Sequence, residues 1–309
     1  MKISIVIPTF NRAKVFKECL ESLSKSIIKV PYEVIVVING TDIKEFKKSI
    51  VVAKNFKKKL NIRIFVKFGR LGSAKARNIG LKLAKGNIVF FFDDDIEILP
   101  DYFEKVLPFF SENDVGSVGA AEIKDNVTFF HKIWFKTRQP GKVTDSGEII
   151  SNFFYNPNLK KVFYVDHLHG SNFGLKKEII NEIGSFDENY IGVQREETDF
   201  IYRVRKLGYK LVFVPFTGVI HKQTTYGGNI PPTKKREWCY WYYRNTSYFF
   251  FKNIYDGKKL KLIKFLVREL IFSIIKVLAY RNLFYIMEFP KIYEGYKLYK
   301  LVKSHLKDD

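Results

Sequence analysis

The chain is poor in cysteine: Cys19 and Cys239 are the only two in 309 residues, far apart and without metal-ligand spacing. A disulfide framework and a zinc site are thereby excluded, and a reducing compartment fits. Long uncharged runs are missing as well. No window of about twenty residues is free of charge, which excludes a conventional transmembrane helix. The apolar run in the opening MKISIVIP is too short for a signal peptide and reads as a first strand. There is no internal repeat and no low-complexity segment. Acids are scarce relative to bases, 32 Asp+Glu against 53 Lys+Arg, a formal net charge of +21. Such an excess selects anionic partners: nucleic acid, an acidic membrane surface, or phosphorylated small molecules. The lysines mark no nucleic-acid recognition motif, which argues against a basic nucleic-acid-binding protein and for no nucleic-acid partner.

What is present is ample core material, 46% hydrophobic and 17% aromatic. Residues 3–7, 32–38 and 62–66 read as strands, separated by helical patterns, and a helix from about Ser73 is stopped at Gly86-Asn87. This is the grammar of an α/β protein with a parallel sheet. The next run, residues 88–92 (IVFFF), does not alternate with polar residues and so reads as a strand buried on both faces.

That strand stops at Asp93, Asp94 and Asp95. Three adjacent carboxylates at the rim of a core repel and lose hydration unless a cation, donors or open water compensate. Mg²⁺ or Mn²⁺ is the economical answer, since both prefer oxygen ligands. A solvated strand-end turn is the alternative. The carboxyl end of a buried strand, where open α/β sheets bind ligands, favours a site. The turn Pro8-Thr9-Phe10-Asn11-Arg12 leads into a helix, where free N–H groups beside Arg12 suit a phosphate or a base edge. Farther on, Glu196, Glu197 and Asp199 stand at a helix start, where negative charge is favoured whatever its use.

These pieces have a common likeness. SIVIPTFNR, GSAKARNIGLKLAKGNIVFFFDDD, GSNFGLKKEII with IGSFDE, and REETDFIYRVRKLGYKLVFVP with His221 occur in the order found in family 2 inverting glycosyltransferases, which the chain resembles over roughly residues 1–225. The resemblance implies a GT-A fold, a mixed, mostly parallel sheet flanked by helices, with a nucleotide-sugar half to about residue 98 and an acceptor half over 99–225. It implies that Asp93–Asp95 is the Asp-x-Asp element, with Asp93 near the ribose, Asp94 in the same pocket and Asp95 on Mg²⁺ or Mn²⁺. It places Glu197 as the catalytic base and Glu196 beside the sugars, and it gives His221 a part in the metal or phosphate site. Pro8, Thr9, Asn11, Arg12 and Arg77 fall in the nucleotide-sugar pocket. Gly170, Ser171 and Asn172 allow close approach of donor or acceptor sugar. Where the family places an Asp that reads a uracil-type base, Ile38-Asn39 stands here, so Asn39 is the candidate base reader and a UDP-sugar the default donor. A nucleotidyltransferase would need a more Gly-rich phosphate loop after the first strand.

Beyond His221 the sequence reads as a lid loop and aromatic segment over 226–259, then a basic amphipathic helical extension over 260–309. About half of the excess positive charge follows His221. At 100° per residue Lys261, Lys264, Arg268, Glu269, Ser273 and Lys276 share one half of a helix, and the other half is Leu, Ile and Phe. The pattern suits a helix lying on an anionic membrane, or one packed on the catalytic domain or a partner subunit. The expectation is a peripheral enzyme on the cytoplasmic face of the cell membrane, acting on a glycan or lipid-linked acceptor.

Overall fold

A computed structural model describes residues 1–124, 139–192, 194–222 and 235–305. Residues 226–234, the glycine- and proline-rich part of the expected lid, lie outside the described residues. The strands are β1 (Ile3–Phe10), β2 (Tyr32–Gly40), β3 (Ile62–Phe68), β4 (Ile88–Phe92), β5 (Ile96–Ile98), β6 (Val115–Lys124), the hairpin β7 (Lys142–Val143) and β8 (Ile149–Ile150), β9 (Phe163–Val165), β10 (Asn172–Lys176) and β11 (Lys210–His221). The helices are α1 (Ala13–Leu23), α2 (Ile43–Phe56), α3 (Ser73–Leu83), α4 (Tyr102–Val106), α5 (Ile180–Ile183), α6 (Glu196–Lys206), α7 (Lys235–Phe249), α8 (Lys259–Tyr280), α9 (Phe284–Met287) and α10 (Ile292–His305).

The main sheet runs β3-β2-β1-β4-β10-β6-β11-β5, with β9 paired to β11. Its longest ladders, β1 with β2, β2 with β3 and β6 with β11, are parallel. β10 is inserted antiparallel between β4 and β6. The expected mixed, mostly parallel sheet flanked by helices is therefore present. β4 holds the middle, as its unbroken apolar run requires: Phe90 and Phe92 point into the core shared with α1 and α4, and Val89 and Phe91 into the core shared with α3 and α6. β1 runs to Phe10, three residues past its sequence-predicted end. Its ladder to β4 stops at Val6, so Pro8 withholds an N–H where no β4 carbonyl awaits it.

The C-terminal helices form a third, largely aromatic core. Phe265 of α8 stacks on Phe250 at 4.1 Å, and Tyr243 of α7 bonds Ser273 Oγ at 2.6 Å. The helical extension expected over 260–309 is broken after Tyr280, where Arg281 turns left-handed (φ 48°), and resumes as α9. The two faces of α8 are set against the simplest reading of an amphipathic helix: Phe265, Glu269 and Ser273 are buried, while Ile263, Val267, Leu270, Ile271, Ile274 and Leu278 face outward. No helix among the described residues is long and apolar enough to cross a membrane.

Candidate active site

Sheet pairing brings the acids of β4 to the carboxyl edge and delivers a histidine to them. β11 pairs β5 with His221 opposite Ile96, and Lys222 N–H donates to Asp95 O at 3.0 Å, so His221 arrives beside Asp95. A register shift in β11 between Val214 and Gly218 lets this occur while β11 stays paired with β6. Asp93, Asp95 and His221 offer ligand atoms that all lie within 4.8 Å of one another. Two carboxylates and an imidazole form an oxygen-rich set suited to Mn²⁺ or Mg²⁺.

Other cations meet the triplet here. The Arg12 guanidinium spans Asp94 Oδ1 at 2.5 Å and Asp95 Oδ2 at 2.6 Å, and His221 Nε2 stands 3.3 Å from Asp95 Oδ1. Burial disfavours charge on His221, but Asp95 and Glu122 outweigh it and raise the imidazolium pKa to about 10. Burial alone would raise Asp95 as well; His221 and Arg12 bring it below the usual carboxylate range. Asp94, deeper, is pushed up to about 6 by desolvation despite Arg12.

Arg77 of α3 ties the triplet to the second acidic cluster. It is buried and donates to Asp93 Oδ1 at 2.9 Å and Glu196 Oε1 at 3.0 Å. Glu196 also accepts from Ser73 Oγ at the start of α3. Buried though it is, Glu196 is held below its ordinary pKa by Arg77 and its hydrogen bonds. Glu197, next to it, is raised well above the usual value by burial and by the Glu196 charge. Its Oε2 is buried with no hydrogen-bond partner among the described residues. Two adjacent carboxyl groups driven apart in this way leave one fixed anion, Glu196, and one group, Glu197, that holds a proton more tightly and is the stronger base once ionised. Gly170 lies against Glu197, where any Cβ would collide with the carboxylate.

Several of the candidate residues, and Asp199 beside them, make hydrogen bonds within the fold. Asn39 donates to Thr9 O at 2.9 Å and accepts from Leu71 N–H at 3.2 Å, so its amide shapes the pocket floor. Asn11, at φ 54°, accepts from Thr41 and Asp42 N–H and locks the end of β1 to that of β2. Asn172 accepts from Tyr102 Oη and from Ala120 N–H and is fully buried. Ser171 O accepts from Asp93 N–H at 3.1 Å, pinning the triplet to β10. Asp199 is fully buried and accepts from Arg203, Lys252, Asn253 and Tyr190. It anchors α6 to the C-terminal segment.

Two residues of the site were missed from sequence. Glu122 of β6 accepts from His221 Nδ1 at 2.5 Å and from His169 Nε2 at 2.9 Å. Ser171 N–H donates to His169 Nδ1, which fixes the proton of that ring on Nε2. A lone acid inside the apolar run GSVGAAEI was the available signal for Glu122.

Residues 4–184 match the model of the family described as "Glycosyl transferase family 2". The uncharacterized glycosyltransferase YwdF of Bacillus subtilis is 29% identical over 235 residues, 74% of this chain and 77% of its own. Among solved structures, residues 1–349 of S. aureus TarS superpose with a TM-score of 0.60 at 18% identity, covering 96% of this chain and 81% of that one. The mannosyltransferase PcManGT from Pyrobaculum calidifontis, in complex with GDP-Man and Mn²⁺, gives a TM-score of 0.57 at 18% identity, covering 95% and 73%.

Proposed function

Because the chain belongs to glycosyltransferase family 2 and has its GT-A fold, we propose that this glycosyltransferase works by metal-dependent inversion, moving a sugar from a nucleotide-diphosphate donor to an acceptor hydroxyl. The observation that carries the reading is that Arg77 joins a three-ligand set (Asp93, Asp95, His221) to Glu196, whose neighbour Glu197 has an Oε2 without a hydrogen-bond partner among the described residues. In this reading Glu197 accepts the acceptor hydroxyl's proton as that oxygen attacks the anomeric carbon. Glu196, held by Arg77 and Ser73, stays charged and fixes the helix that presents Glu197. In the same reading Arg12, at the head of α1, meets the donor diphosphate. Asp93, Asp95 and His221 would hold Mn²⁺ or Mg²⁺, which supplies positive charge near the leaving diphosphate. One base and one stabilised leaving group suffice for a single displacement. The complex of a structural neighbour with GDP-Man and Mn²⁺ is consistent with this choice of ligands. A UDP-sugar is the default donor, and a lipid-linked or membrane-proximal glycan at the cytoplasmic face the acceptor.

Turnover of a panel of UDP- and GDP-sugars with Mn²⁺, followed by NMR of the product anomer, tests the reading. Inverted product that disappears with EDTA is expected. Retained configuration, or turnover undiminished by EDTA, overturns it.

A further inference from the structure

The C-terminal helices present a surface that the catalytic chemistry does not use. Around α8 the arc carrying Ile263, Leu266, Val267, Leu270, Ile271, Ile274, Ile275 and Leu278 is exposed, interrupted only by Lys264. The helix spans 22 residues, about 33 Å at 1.5 Å per residue. Leu283, Ile286 and Met287 around α9, and Tyr293 and Leu301 of α10, are exposed as well. A soluble surface rarely leaves so long an apolar stripe in water.

Its charges say what covers it. Between residues 259 and 305 the acids are Glu269, Glu288 and Glu294, and none is exposed. Lys259, Lys264, Arg281, Lys297, Lys300 and Lys303 are all exposed. An apolar stripe rimmed by cations, with exposed acids near α8 only at Asp145 and Asp256 beside Lys261 among the described residues, complements an anionic lipid surface. The polar half of α8 is turned the other way: Glu269 and Ser273 lie against the protein, and Arg268 pairs with Glu269.

We infer that the outward half of α8, continued by α9 and α10, is a lipid-docking platform that seats its apolar stripe among acyl chains and its basic rim among anionic headgroups. The inference rests on the reading that the acceptor is carried at a membrane, and it adds where and how the protein sits. Beneath the platform, Phe272 of α8 stacks on Tyr242 of α7 at 5.3 Å, and Arg195 packs over Tyr242 at 5.8 Å while donating to Thr246 at 3.3 Å. Arg195 directly precedes Glu196 and Glu197. Through α7 the platform thus backs on to the start of the helix that carries the proposed base.

Flotation of the full chain with vesicles of phosphatidylcholine, with and without phosphatidylglycerol, is the test. Flotation should be strong with phosphatidylglycerol, weaker without it, and reduced by high salt, because the basic rim supplies part of the attachment. Leu270→Glu with Ile274→Glu should reduce floated protein by about tenfold or more, at unchanged melting temperature, since both side chains already face outward. Ile263→Ser with Val267→Ser is a milder second variant expected to act in the same direction. Absence of flotation by the unaltered chain overturns the platform. So does a stable dimer in light scattering that the same variants convert to monomer without any vesicle binding, which would make the stripe an interface between copies. Donor binding is followed separately by thermal shift with UDP and Mn²⁺. Its loss in a chain that still floats would count against the glycosyl-transfer reading and leave the platform standing.

Discussion

Glu197 and its neighbour differ by one position and have opposite environments. Glu197→Gln should retain donor affinity and lower turnover by about 10²-fold to 10⁴-fold, the range for losing a general base; steady-state kinetics beside calorimetric donor titration check both. A second outcome follows from linkage. The folded-state pKa of Glu197 is raised, so the stability it permits is fully present below its unfolded pKa and is lost as pH rises through the folded one. Glu197→Gln should therefore melt higher than the parent at neutral pH, with the difference closing in acid. Glu122 is argued from its two histidines. Mn²⁺ would have to displace the Nε2 proton of His221, and Glu122, which accepts from Nδ1, would hold the ring in place for it, so Glu122→Gln should weaken Mn²⁺ binding by about 10-fold to 100-fold by EPR titration. Glu122→Asp should recover part of it. At this scale the sequence was readable where a residue's chemistry was local, as in three consecutive carboxylates at a strand end. Asn39 and Asn172 were opaque because their partners, Thr9, Leu71, Tyr102 and Ala120, are near only after folding.

At the scale of elements, α6 shows how one short run serves two ends. Its first turn faces the site through Glu196 and Glu197, and Asp199 faces away to bind Lys252 at 3.0 Å and Asn253 at 2.7 Å. Asp199→Ala should cost about 1–3 kcal/mol in urea denaturation, because it removes one partner each from the half-buried Arg203 and Lys252 and leaves Asn253 unpaired on that side. A stable fold with turnover lost would instead give Asp199 a role in the chemistry. The amphipathic period of α8 was legible, but period alone cannot say which half is inside. The polar half is inward here because Tyr243, Tyr242 and Arg268 supply partners for Ser273 and Glu269. Removing residues 260–309 should consequently expose Phe250 and Tyr243 and yield aggregated chain, measured by size-exclusion chromatography. A monodisperse truncated protein would show that α7 stands without its cover.

Over the whole molecule, the N-terminal half was the readable part. Its parallel βα units are contiguous in sequence, and each strand, turn and helix announces itself locally. The insertion of β10 between β4 and β6, the bulge that brings His221 to Asp95, and the burial of Glu122 all depend on pairings across tens of residues. The site is the product of both halves, since β1 and β4 bring Arg12 and the aspartates while β6 and β11 bring Glu122 and His221.

The outward stripe of α8 has a kinetic meaning. A catalyst seated on a bilayer searches for its lipid-borne acceptor in two dimensions, where the relevant concentration is the acceptor's mole fraction in the surface. At fixed bulk acceptor, adding inert phospholipid should then lower the initial rate in proportion to surface dilution, whereas diluting the vesicles themselves should change it little while the enzyme stays bound. A rate that follows bulk acceptor alone would describe an enzyme that meets its acceptor in water.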